Sequence, residues 1–403
     1  MKRYLLFALC ALVAVAFVAS GTFHWWDSRE LAPDLKGPTP EAGGWDPNAP
    51  NAVPFPLQLP PGFTISIFAK DLGSPRVLAR DPGGVLLASI PAQGRVVALP
   101  DQDKTGAATA VVNVAQGLDR PHGLLFRQEG GKTRLYIAEV EQLAVYDYDD
   151  RTFQATNKRK IVDLPKGGRH FTRTMVFLPP PDGRLLISVG SSCDTCVEQD
   201  WRYAKVLSAN PGGGNLKPFA SGLRNAVFMA LHPLTQQVWV TEMGRDFLGD
   251  DLPPDEINIL AEGQDYGWPY CYGDRLHDSK FDPQGEKKDF CQQTVPAHID
   301  IPAHSAPLGL AFFPAEGWPP EYRHHLLVSW HGSWNRSEPA GYKVVRYLLD
   351  GQGNFLDVEN FITGWHSPAG VRGRPVDILI ENNGEMYISD DKAGVVYRVV
   401  YKK

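Results

Sequence analysis

The residues with most chemical content sit in short loops, each placed just ahead of an apolar run. Gly167-Gly168-Arg169-His170-Phe171-Thr172 carries a histidine, whose ordinary pKa near working pH suits a general base. Gly222-Leu223-Arg224-Asn225 offers a planar cation for an oxyanion or carboxylate, with a two-way amide beside it. Glu242-Met243-Gly244-Arg245-Asp246, the stretch from Gly249 to Asp255-Glu256, and Tyr266-Gly267-Trp268-Pro269 combine acids with forced turns. Carboxylates and carbonyls freed by Gly and Pro are the hard ligands calcium takes, although the spacing is not that of an EF-hand. Arg372 and Arg374 are two apart, so an extended segment puts both on one face, a fork pair for a multi-carboxylate ligand. His122 and His304 occupy comparable positions in other loops. Each motif also has a plain alternative: a structural histidine, a solvated arginine or an acidic turn.

The elements behind these loops repeat. Gly84–Ser89, Thr133–Ala138, Gly183–Ser188, Gln237–Thr241, His325–Ser329 and Gly384–Ser389 are short runs rich in Leu, Val, Ile and Tyr, and most have a second apolar run after them. Aligned on Leu86, Leu135, Leu185, Val238, Leu326 and Met386, the intervals are 49, 50, 53, 88 and 60 residues. Units of roughly fifty residues accommodate four short strands, the size of a propeller blade. The expectation is an all-β chain, a six-bladed β-propeller with four-stranded blades, over residues 56–403. The 88-residue interval implies an insertion at about 249–300 that holds Cys271 and Cys291. Residues 21–55, with six prolines among polar residues, read as an extended lead-in.

Composition agrees. The 403 residues include 39 Gly and 34 Pro, which suggests many turns, and 43% apolar residues, enough for a large core. With 40 Lys+Arg against 46 Asp+Glu the net charge is -6, which excludes a nucleic-acid binder working through bulk positive charge. Lys2 and Arg3, the apolar run Tyr4–Ala19 and the small residues after it form a secretory signal peptide over residues 1–20. The chain is therefore expected to be exported to a bacterial periplasm, with no membrane span once the leader is cleaved, or N-terminally anchored if it is retained. The remaining four cysteines read as disulfides, paired by proximity as Cys193–Cys196 and Cys271–Cys291.

In the order and spacing of Gly222-Leu223-Arg224-Asn225, Asp255-Glu256-Ile257-Asn258 with Tyr266-Gly267-Trp268-Pro269, and Arg372-Gly373-Arg374, the chain resembles the soluble pyrroloquinoline-quinone (PQQ)-dependent sugar dehydrogenases of the glucose/sorbosone type. The likeness covers roughly residues 56–403 and is greatest to the aldose branch. It implies PQQ and calcium as cofactors and an aldose sugar or sugar aldehyde as substrate, oxidised by hydride transfer to the quinone. By the same resemblance His170 is the general base and Arg224 and Asn225 contact the quinone oxygens. Gly244 and Arg245 hold the cofactor's calcium through their carbonyls, and Arg372 and Arg374 bind cofactor carboxylates. Glu256 and Tyr266, with Asp255, form part of a second calcium site, and His122 and His304 line the cofactor. Two positions depart from the glucose-specific pattern: the acid before the base is Arg169, and the cofactor lysine is Asn335, with Arg336 beside it to supply the charge. No Cys-x-x-Cys-His motif is present, so electrons pass to an external acceptor, a quinone or cytochrome. A calcium-dependent lactonase propeller and a non-enzymatic periplasmic sugar-binding propeller are the alternatives. The arginine cluster weighs against both.

Overall fold

The computed structural model describes Leu35 and residues 44–402; the leader lies outside the described residues. Six four-stranded antiparallel sheets are arranged as the blades of a propeller. The inner strands, blade by blade, are Leu78–Arg80, Leu124–Glu129, Met175–Phe177, Ala226–Leu231, Pro307–Phe312 and Pro375–Ile380. Each touches the inner strand of the next blade and the sixth touches the first, so they form a closed ring. The six repeat residues Leu86, Leu135, Leu185, Val238, Leu326 and Met386 all sit on second strands and are all buried. The last blade is completed by the chain's first long strand: Phe63–Ala69 pairs antiparallel with Val395–Tyr401, Phe63 opposite Tyr401. No helix among the described residues is long and apolar enough to cross a membrane.

The blades are joined by buried hydrogen bonds as well as by apolar packing. Three residues past each repeat anchor stand Ser89, Ala138, Ser188, Thr241, Ser329 and Ser389, all fully buried. The Thr241 hydroxyl donates to Leu308 O of the fifth blade at 2.6 Å, Ser329 donates to Val376 O of the sixth, and Ser389 donates to Arg76 O ahead of the first. From the third blade Thr174, itself bonded to Ser188, donates to Val227 O of the fourth. The second blade has Ala138 at this position and no hydroxyl to offer. There His122 makes the tie, its Nδ1 lying 3.3 Å from Arg173 O of the third blade. A carbonyl only accepts, so Nδ1 carries the proton; burial holds the ring's pKa well below its ordinary value and keeps it neutral. His122, expected to line the cofactor, is instead a fully buried joint between blades.

Two boundaries differ from expectation. Part of the 249–300 stretch belongs to the blade itself: Asp255–Leu260 and Ile299–Ile301 are the third and fourth strands of the fourth blade. The true excursion lies between them and carries the Cys271–Cys291 disulfide; a second disulfide joins Cys193 to Cys196. The lead-in is also not wholly outside the core. Val53, Phe55, Leu57 and Leu59 alternate with polar residues or prolines and bury their side chains among the last two blades. Gly44 and Asn51 carbonyls accept from Ile65 and Ile67, covering the open edge of the outermost strand.

Where two inner strands press together the backbone leaves no room for a side chain. A Cβ on Gly309 would sit 2.5 Å from Val376 O and 2.6 Å from Asp377 Cα. Gly309→Ala is therefore expected to cost about 1–3 kcal/mol, the usual range for overpacking, read as a lower urea midpoint. Gly212→Ala, which meets nothing within 4 Å, should leave the midpoint unchanged.

Candidate active site

The loops that precede the inner strands all open at one end of the ring. Those of the third, fourth and fifth blades meet the turn after Glu242 and the Trp334–Asn335 loop around a cavity of about 250 Å³. Of the residues expected from sequence, His170, Arg224, Asn225, Gly244, Asp255 and His304 line it. Arg169 and Asn335, the two departures from the glucose-specific pattern, line it as well. Gly190 makes the packing possible, since a Cβ there would meet His170 Cβ at 2.6 Å and Asn225 Oδ1 at 2.7 Å.

His170 is held in one tautomer. Its Nδ1 lies 2.9 Å from Ser191 Oγ and 3.1 Å from Ser191 O. The Ser191 hydroxyl donates to Cys193 O at 2.6 Å, so its oxygen accepts from the ring. Nδ1 therefore carries the proton, and Nε2 is the unprotonated nitrogen. Burial first, then the Arg224 and Arg169 cations, lower the ring's pKa to about 3. Arg173, fully buried, donates to His170 O at 2.9 Å and fixes the backbone beneath it. Nε2 is therefore free of a proton throughout the neutral range, while burial and the two cations make the ring a weak base until an anionic ligand offsets their charge.

Arg224 has its guanidinium almost completely spoken for. Nη2 donates to Asp194 Oδ1 at 2.7 Å and to Asp246 Oδ2 at 3.2 Å, Nε to Asp194 O at 3.0 Å, and Nη1 to Met243 O at 3.2 Å. Asp246 also accepts from Arg169 at 2.7 Å and, on its other oxygen, from Asn335 Nδ2 at 3.2 Å. Two arginines and two aspartates thus make a charge-balanced cluster. Burial lifts Asp246 above the ordinary carboxylate range despite Arg224. For Asp194 burial is outweighed by the Asp246 N–H and Arg224, and its pKa falls. Asp194 and Ser191 were not singled out from sequence. The Cys193–Cys196 segment, expected only to carry a disulfide, anchors both the histidine and the arginine through its carbonyls and Asp194.

The neighbouring acids Asp255 and Glu256 diverge, because successive strand residues face opposite ways. Asp255 faces the main cavity, accepting from Gly244 N at 2.9 Å and Ala306 N at 2.8 Å. Glu256 turns to a separate cavity of about 30 Å³, lined also by Glu242, Gly244, Arg245 and Tyr266. Asp255 therefore does not share a cavity with Glu256 and Tyr266 as expected, whereas Glu242 does. Glu242 Oε1 accepts from Asn225 N at 2.9 Å, while its Oε2 is buried with no partner among the described residues. Burial pushes Glu256 up to about 7 and Glu242 well above its ordinary value. Two buried carboxyls, one with an unpaired oxygen, around a space for one ion fit a hard cation. The Tyr266 hydroxyl is committed to Ile259 O and Ala261 N, which leaves its backbone carbonyl to offer. The Arg245 side chain is paired with Asp278 at 2.7 Å.

Three expected arginines stand outside the cavity lining. Arg336 does not bring its charge to the place of the missing lysine. It clamps the acidic loop, bonding Asp250 O and Ala303 O and pairing with Asp251. Arg374 lies over the Tyr342 ring at 5.2 Å and donates to His331 Nδ1 at 3.4 Å. Arg372 is exposed and lies 6.0 Å from the Phe55 ring. The two meet different rings rather than one ligand, and the paired strand begins only at Pro375. His304 lines the cavity but directs Nε2 to Gly249 O at 2.8 Å.

Comparison with known proteins places this geometry in a lineage. An uncharacterised protein of Borreliella burgdorferi is 27% identical over 86% of this chain and 91% of its own length. The pyrroloquinoline quinone-dependent pyranose dehydrogenase of Coprinopsis cinerea is 26% identical over 87% of this chain, which spans 55% of that protein's length. The holo PQQ domain of the Coprinopsis pyranose dehydrogenase superposes with a TM-score of 0.73 at 22% identity, covering 89% of this chain and 100% of the domain, and so shares its fold. Residues 57–402, all six blades, match the TrAA12-like family, and the chain belongs to that family of pyrroloquinoline-quinone-dependent sugar dehydrogenases.

Proposed function

We propose that the protein is a PQQ- and calcium-dependent dehydrogenase that oxidises an aldose or sugar aldehyde, exported by its leader and passing electrons to an acceptor outside the chain. The observation that carries this reading is the neutral, tautomer-locked His170 beside Arg224 in one cavity. PQQ, when bound, supplies the two-electron acceptor for the hydride leaving the sugar's anomeric carbon. The chain's residues supply the rest. His170 Nε2 takes the proton of the anomeric hydroxyl, so that the carbon becomes a lactone carbonyl. The Arg169 and Arg224 guanidiniums and the Asn225 amide offer donors to the cofactor's oxygens. They are already positioned by Asp194 and Asp246 and need no reorganisation. Glu242 and Glu256, with carbonyls of the Gly244–Arg245 turn, would hold calcium.

His170→Ala should lower kcat by about 10²–10⁴-fold in enzyme saturated with quinone, with the quinone dissociation constant changed far less. Arg169→Ala should instead weaken quinone binding by roughly 1.5–3 kcal/mol, a lost charge-assisted bond, whereas the exposed Arg372→Ala should leave the titration unaltered. Near-normal turnover in His170→Ala would move the base elsewhere. Imidazole NMR of the cofactor-free protein tests the tautomer directly. With its pKa near 3, His170 should remain protonated on Nδ1 alone from pH 8 down to about pH 4.5, whereas a free histidine gains its second proton near 6.5. The unfolded chain binds that proton in this window and the folded chain does not. His170 therefore costs stability as pH falls through 6.5.

Calcium added to chelator-treated protein should raise Tm, by linkage about 2.7 kcal/mol at a hundredfold excess over its dissociation constant. Glu242→Gln combined with Glu256→Gln should abolish the shift. A shift that survives in the double variant would place the ion elsewhere.

A further inference from the structure

At the mouth of the cavity two aromatic rings stand in solvent. Trp334 lines the cavity yet is 62% exposed, and Phe247, 57% exposed, meets it edge to face at 5.8 Å between centroids. Large rings left in contact with each other and with water at the edge of a site mark a binding surface.

Their backbones are fixed from below. Asp246, just before Phe247, accepts from Asn335, just after Trp334. Further along the same two loops, Arg336 bonds Asp250 O and Ser337 N donates to Asp250 Oδ1 at 3.1 Å. Lys280 Nζ holds Phe247 O at 2.7 Å. Phe247 has φ 66°, a left-handed conformation that bulky residues adopt only when the surroundings impose it. The strain is spent on turning an apolar ring outward, which packing alone does not explain.

From this pair we infer a subsite for a second sugar ring: Trp334 and Phe247 form a platform for the pyranose unit next to the one being oxidised, which makes reducing oligosaccharides the preferred substrate class. The inference rests on the proposed sugar oxidation. The cavity, at about 250 Å³, is smaller than the ~300–1,000 Å³ typical of sites for a single drug-sized ligand. A tricyclic cofactor would take up most of that space, so the reacting ring would lie toward the mouth. The next ring then falls on the exposed aromatics: with the two rings at 86° to each other, one offers its face to the C–H face of a pyranose and the other walls it from the side. Hydroxyls at that ring's rim find polar neighbours in the Asp250–Arg336 clamp.

The test is calorimetry on the full chain loaded with PQQ and calcium. The probes are methyl β-cellobioside and methyl β-maltoside, whose blocked reducing ends prevent turnover, against methyl β-glucoside. At least one disaccharide should bind about tenfold more tightly than the monosaccharide. Phe247→Ala and Trp334→Ala should each erase most of that preference and Trp334→Phe should retain it, with the Phe247→Ala quinone titration confirming a folded site. Equal affinity for one and two rings in the wild type, or a preference untouched in both alanine variants, overturns the platform. So does a variant that binds sugars normally but reduces a cytochrome more slowly than a small dye, which would assign the rings to acceptor docking. If no sugar is oxidised by any form while the calorimetric preference holds, the proposed reaction fails and the subsite stands.

Discussion

The carbonyl groups at the wall of the central channel constrain everything above them. Each inner strand packs against its neighbours with no ladder between blades, so some of its carbonyls face the adjoining blade, where an unpaired buried acceptor costs about 1–3 kcal/mol. A hydroxyl from the preceding blade meets several of them: Thr174 at Val227, Thr241 at Leu308, Ser329 at Val376 and Ser389 at Arg76. Small groups that donate one hydrogen bond let the strands stay close, and Gly309 marks how close. His122 shows the same requirement met by a different group where the second blade has an alanine. The spacing of the blades, and hence of the loops above them, follows from these contacts.

The site uses that spacing to hold charges in balance. Arg224 and Arg169 share Asp246, and Arg224 is gripped on its other side by Asp194. A buried arginine without such partners would pay several kcal/mol in lost hydration. With them, it is preorganised for an anionic ligand but not rigidly saturated, because Asp246, lifted by burial, is the weaker counter-ion. The neutral His170 is the other face of this arrangement, its depressed pKa owed to burial and to the same two cations. Histidine and cations are therefore not separable features: the neutrality of the ring depends in part on the charge of the arginines.

Much of the fold was legible in the chain because a propeller writes its period into the apolar residues: Leu86, Leu135, Leu185, Val238, Leu326 and Met386 all proved to be second-strand core positions. The hydroxyl three residues further on recurs in five of the six blades and carries no such signal, since a buried serine looks in sequence like any other. At the site, loops that precede inner strands carried His170, Arg224, Asn225 and His304 to the cavity. Reasoning from local geometry was less reliable. Arg372 and Arg374 were placed on one face by assuming an extended segment, and Arg336 was assigned to the cavity by adjacency to Asn335. Asp255 and Glu256 were kept together although strand alternation separates them. Asp246 is visible in sequence only as part of an acidic turn and Asp194 not at all, because their importance lies in whom they meet across 52 residues of chain.

The strand Phe63–Ala69 completes the last blade against Val395–Tyr401, so the two ends of the described chain meet in one sheet. That pairing spans nearly the whole sequence, and long-range β contacts form slowly because loop closure must be paid for first. The ring cannot shut until the final strand is available. Until then the first and last blades present open edges, the kind of surface on which chains pair with one another. Once shut, the same seam must part before any blade can leave, which makes it a kinetic latch. The site sits over the third to fifth blades, yet its lifetime is governed by a join in the sixth.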